Sequence, residues 1–139
     1  MEWLSFEGVN WLAVLIAFVV TFVISWVWYS DRGFFPVWKK AQGITSEQME
    51  GAPMGVSFGG AILGNLLGIV LLAVLMAGLG VTGWWQGLLF GAVVGLVYRA
   101  GAHAIHNGFA LRKPLITLID GAADTVGLAV AGLILGLMA

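Results

Sequence analysis

"VYRAGAHAIH", residues Val97 to His106, places an arginine and both histidines of the protein inside a run otherwise rich in glycine and leucine. How that stretch is read decides the fold. The run from Trp84 to about His106 is close to the ~20 residues that carry a helix across ~30 Å of hydrocarbon. The charged stretch is therefore predicted to lie inside a membrane span.

Three further apolar stretches have similar length: Val9 to Tyr29, Gly55 to Leu79, and Leu115 to Met138. The 139 residues are 60% hydrophobic and 9% charged, with 21 Gly and 7 Trp, a balance that soluble domains of this size do not show. The fold class predicted is all-α integral membrane: one domain, residues 1–139, forming a four-transmembrane-helix bundle with spans at about 9–29, 55–79, 84–106 and 115–138. The first span is expected to be retained, because Glu2 and Glu7 flank it instead of Lys or Arg and no small-residue cleavage pattern follows. The chain has no cysteine, which excludes disulfides, thiolate metal sites and cysteine nucleophiles. A net charge of −1 gives no sign of nucleic-acid binding.

Arg32, Lys39 and Lys40 lie between the first two spans, and Arg112 and Lys113 lie between the last two. Basic loops stay in the cytoplasm, so both termini are expected outside and the protein is expected in the bacterial inner membrane, with the lipid bilayer as its first partner. Trp3, Trp11, Trp84 and Trp85 form one aromatic belt; Trp26, Trp28, Tyr29 and Trp38 form the other. The loop 30–54 is the only extended polar segment. Phe34, Phe35, Val37 and Trp38 beside Lys39 and Lys40 suggest a stretch lying among headgroups, and Thr45 followed by Gln48 has the form of a capping box.

Glycines recur every fourth residue at Gly60, Gly64 and Gly68 in the second span, and at Gly87, Gly91 and Gly95 in the third. Such rows let helix backbones approach closely in lipid, and packing within the chain is the favoured reading over a dimer face. The row in the third span continues by fours into Arg99, His103 and Asn107, so one face runs from small residues into polar ones. In the fourth span Asp120 and Asp124 share a face. If the turn between the spans centres between Leu111 and Arg112, Arg99 stands opposite Asp124 and His103 opposite Asp120. The same arithmetic about the preceding turn brings Asn65 level with Arg99.

Such a cluster has three readings. It can clasp the third and fourth helices, with Arg99 reaching toward headgroups and His106 at the interface; it can be a protonatable site exchanging a proton or substrate cation; or His103, His106, Asp120 and Asp124 can hold a divalent ion. The last is the weakest, because two histidines are few and Arg99 repels a cation. No cofactor or metal is expected, and no nucleophile elbow, phosphate loop or dinucleotide fingerprint marks an enzyme. Buried ionisable groups are expensive in lipid, and an apolar pair usually holds two helices as well. The favoured function is cation- or proton-linked binding or transport of a small molecule, which in so small a bundle calls for a homo-oligomer. The alternative is a structural or accessory subunit of a larger membrane complex.

"VNWLAVLIA" opening the first span, "WYS" closing it, and "HNGFALRKPLITLID" leading into "AGLILGLM" resemble a bacterial family, DUF1761, over nearly the whole chain. The matching residues are Asn10, Trp11, Trp28, Tyr29, Ser30, Trp38, His106, Phe109, Arg112 and Asp120, while Ala110 stands where the family pattern has Glu. The resemblance implies a small four-helix inner-membrane protein and carries no activity.

Overall fold

A computed structural model describes residues 5–139. Glu2 and Trp3, used above for the first span and for one aromatic belt, lie outside the described residues. The elements are all helical: α1 (Trp11–Trp28), α2 (Phe35–Gln42), α3 (Ser46–Glu50), α4 (Met54–Leu79), α5 (Trp84–Val94), α6 (Gly101–Phe109) and α7 (Pro114–Leu137). Between α5 and α6 the helix does not break; it widens into a π-helical segment, Gly95–Ala100, so that Trp84–Phe109 forms one rod. Four helices are long and apolar enough to cross a membrane: Trp11–Trp28, Met54–Leu79, Trp84–Phe109 and Pro114–Leu137. The chain is a multi-pass membrane protein. The third span runs past His106 because the turn that ends it closes later, where the Arg112 N–H donates to the Asn107 carbonyl.

Local chemistry sets the ends of these helices. Asn10 caps α1, its side-chain oxygen accepting from the N–H groups of Leu12 and Ala13, which would otherwise lack partners. The same side chain donates to the Met138 carbonyl at 2.8 Å, so both termini of the bundle are tied at one end. Gly80 ends α4 in the left-handed conformation, φ 65°, where only glycine is unstrained. Pro114 opens α7, a position whose N–H has no helical partner to lose. Residues 110–113 form the last turn, centred between Leu111 and Arg112 as expected.

Both basic connections lie at the opposite, basic end of the bundle. Here α2 folds back under α1: Phe34 N–H donates to the Trp28 carbonyl at 2.7 Å, and the Trp38 ring meets Tyr29 edge-on at 6.1 Å. Gly33 permits this return, since any side chain there would strike the carbonyl oxygens of Val27 and Trp28. Thr45 and Gln48 form the expected capping box, each side chain bonded to the other's backbone N–H. The Glu47 carboxyl is held below the usual carboxylate range by its own backbone N–H, then by the Thr45 hydroxyl.

At the centre of the bundle stands α7, packed against α1, α2, α4, α5 and α6. Its closest partner is α5. A methyl group on Gly87 would overlap the Gly132 carbonyl, and one on Gly91 would overlap the Leu128 carbonyl; the Gly83 N–H donates to the Gly136 carbonyl at 2.9 Å. The third-span glycine row thus packs within the chain. The second-span row does not: added side-chain atoms at Gly60, Gly64 and Gly68 meet nothing within 4 Å. That expectation is corrected, and the cause is where α4 docks, against α1 and α7 instead of α5. The apolar core lies in the half of the bundle nearer the termini, with Ala13, Val14 and Ala17 of α1 meeting Ile69, Leu72, Ala73 and Met76 of α4 and Ala131 and Leu135 of α7.

Candidate functional site

The ionisable residues gather where the third span widens. Gly95 opens the π-helical segment pressed against α7, where an added methyl would come within 2.7 Å of Thr125 Cα. A π turn holds one more residue than an α turn and so rotates everything that follows it, a feature frequent at functional sites. Arg99 leaves this segment toward α7 and forms a fork on Asp124: Nε–H donates to Oδ2 at 3.0 Å and Nη2–H to Oδ1 at 3.1 Å. One turn on, His103 Nε2 lies 3.0 Å from the same Oδ2. Asp124 lies on α7, about 15 Å along the helix from Pro114 at about 1.5 Å per residue, near the middle of its span.

Of the two expected pairs, Arg99 with Asp124 forms. His103 with Asp120 does not. The π turn rotates His103 until it and Arg99 converge on one carboxylate, and Asp120 is taken by a residue of another helix, accepting from the Tyr29 hydroxyl at 2.6 Å. A single aspartate, Asp124, therefore neutralises the charged stretch. Asn65, expected level with Arg99, has its hydrogen bond elsewhere. It donates to the Thr21 hydroxyl at 3.2 Å because α4 faces α1 at this level, and the hydroxyl of the buried Thr21 donates in turn to the Phe18 carbonyl at 3.1 Å. His106 is exposed in the last turn of α6, away from the ion pair. Asn107, on the same face as Arg99 and His103, is buried and donates to the Thr117 hydroxyl at 3.1 Å.

Arg99 and Asp124 form one end of a cavity of about 420 Å³ walled by α1, α4, the third span and α7. Asn65, Thr21 and Ser25 supply the other polar groups, and Gly64, Gly68 and Leu71 of α4 face it. Asn65 thus shares a cavity with Arg99 without bonding to it. Asp124 is the least exposed of the three partners at 23%, against 48% for Arg99 and 36% for His103. Among the described residues no group of three or more His, Asp or Glu side chains is placed to hold a metal ion.

Sequence reasoning missed Tyr29 and Thr21 as partners. Depth alone points to Tyr29, which ends the first span at the level where Asp120 enters the fourth. Nothing in the sequence marks Thr21 apart from its place on the buried face of α1.

A family model described as "Protein of unknown function (DUF1761)" matches residues 12–136. The chain belongs to this family. No curated protein and no solved structure was found to match it. The DUF1761 match begins just after Asn10 and Trp11 and covers the other eight matching residues, from Trp28 to Asp120. Three of those, Tyr29, Trp38 and Asp120, meet at the basic end through the Tyr29 to Asp120 hydrogen bond and the Tyr29 to Trp38 ring contact.

Proposed function

We propose that this DUF1761 protein is a bacterial inner-membrane protein whose Arg99, Asp124 and His103 form a proton-linked binding site for a small molecule. The observation that carries this reading is the cavity of about 420 Å³ ending on the ion pair, a volume within the range of small-molecule sites. A clasp serving only to join two helices has no need of a cavity or of an imidazole on the same carboxylate. Histidine changes charge between about pH 5 and 8. When His103 gains a proton, Asp124 is shared between two cations and its hold on Arg99 weakens, so ligand and proton occupancy are coupled.

The chain's lack of cysteine makes the test direct. Gly68 lines the cavity and has room for a side chain, so Gly68→Cys reports access. Its labelling by a water-soluble thiol reagent, taken relative to Glu50→Cys on exposed α3 to cancel the thiol's own ionisation, is expected to change between about pH 5 and 8. The change is expected to vanish in His103→Gln. Relative labelling that is flat across this range, or a thiol at position 68 that is never labelled, rejects the reading.

A second reading, that the chain is a structural or accessory subunit of a larger membrane complex, is favoured by the unfilled face beside Gly60 on α4. Mass measurement of the purified protein in mild detergent separates the two readings: a homo-oligomer supports the small-molecule site, and a monomer with co-purifying chains supports the accessory role.

A further inference from the structure

We infer that the ligand is a single-chain amphiphile carrying one negative charge, which enters sideways from the bilayer between α4 and the π-helical segment and binds together with a proton on His103. This rests on the binding site proposed above and names what fills it.

Hydrogen bonding comes first. Arg99 uses one N–H of Nε and one of Nη2 on Asp124, and its other N–H groups make no hydrogen bond among the described residues. The side chain is half exposed, yet it lies within a span and on the cavity wall. In hydrocarbon there is no water to accept from those donors. An acceptor oxygen on a ligand satisfies them, and an anionic oxygen does so with the stronger, charge-assisted bond.

Charge sets the stoichiometry. Arg99 and Asp124 cancel, so the site is neutral when His103 is neutral and carries one positive charge when His103 is protonated. A monoanion restores neutrality. Of the charged groups near His103, only Arg99 and Asp124 line the cavity; Tyr98 on the π-helical segment is neutral, Asp120 on α7 is a further carboxylate held by the Tyr29 hydroxyl outside the cavity, and His106 lies on the same helix as His103. From α4 comes only the neutral Asn65.

Shape sets the body of the ligand and its route. Apart from Asn65, the cavity wall on α4 is glycine and leucine, with Gly64 and Gly68 leaving open space where side chains would stand. Across the gap Tyr98 is largely exposed, and no close backbone approach joins α4 to the third span, which it meets through side chains nearer the termini such as Met76 against Gly87. The cavity therefore opens sideways at the depth of the lipid chains. About 420 Å³ matches one alkyl chain with a compact head.

The test uses Gly68→Cys protein in a neutral detergent, with decanesulfonate as the probe because its charge does not titrate between the two pH values compared. Decanesulfonate is expected to slow alkylation of the Gly68→Cys thiol roughly tenfold at about pH 5.5 and little at about pH 8. Protection is expected to fall in Arg99→Lys, which keeps the charge but loses the fork, and to disappear in Arg99→Gln if that variant folds. In His103→Gln it is expected to lose its pH dependence. Equal protection by decanol shows that only the chain is recognised, protection by decyltrimethylammonium shows a cation site, and equal protection by dihexanoyl-phosphatidylglycerol shows a lipid headgroup site; each overturns the inference. Labelling that responds to pH but not to the sulfonate also overturns it while leaving the proposed site standing. A thiol at position 68 that never labels removes the site itself.

Discussion

Two helices of this bundle carry the same sequence device and use it in opposite ways. On α5, glycines four apart press the backbone against α7 until Gly87 and Gly91 touch carbonyl groups of the neighbour. On α4, Gly60, Gly64 and Gly68 have the same spacing and touch no neighbour, and the last two line a cavity instead. A glycine row in lipid thus states only that one helix face is bare. Whether bareness becomes contact or empty space depends on which helix comes to lie beside it.

The largest expected effect tests that contrast directly. Gly91→Val forces a branched side chain into the Leu128 carbonyl and is expected to cost about 3 kcal/mol or to prevent folding, whereas Gly68→Val is expected to stay within about 0.5 kcal/mol of wild type. Thermal melts in mild detergent decide; comparable losses at both positions would erase the distinction between the rows. A middle-sized effect sharpens it at the basic end, where α1 and α7 are joined by a side-chain bond instead of by bare backbone. Tyr29→Phe removes the donor to Asp120 and is expected to lower stability by about 1 to 2 kcal/mol while leaving thiol labelling in the Gly68→Cys background unchanged. Altered labelling would join the two aspartates into one site. The smallest effect lies at the end that carries the termini: Asn10→Ala loses both the α1 cap and the bond to Met138, with about 1 kcal/mol expected. No measurable shift in the melt would show that the tie is idle.

The polar cluster shows how far register arithmetic reaches. Arg99 opposite Asp124 was legible because the turn after α6 is short and the preference of opposite charges in hydrocarbon for one another singles out its centre. His103 was assigned to the wrong aspartate because that arithmetic treats the third span as a uniform α-helix. Gly95–Ala100 is a π turn, and the pairing of Gly83 with Gly136 and of Gly87 with Gly132 near the termini has slipped by the level where Asn107 meets Thr117. The role of Asn65 was misjudged for a different reason. Depth placed it beside Arg99, but depth does not say which way α4 is turned.

The sequence by itself determined that there are four apolar helices, where they begin and end to within a few residues, and that charge lies inside the third and fourth. The physical reason is that lipid offers no hydrogen bonds to the backbone, so a long apolar run has to satisfy its own N–H and C=O groups as a helix. Only the tertiary structure decided which bare face is packed, which aspartate holds both Arg99 and His103, and that a cavity opens beside them. These depend on the rotation of each helix about its axis, where neighbouring residues differ by about 100°, and one extra residue in a π turn changes the outcome.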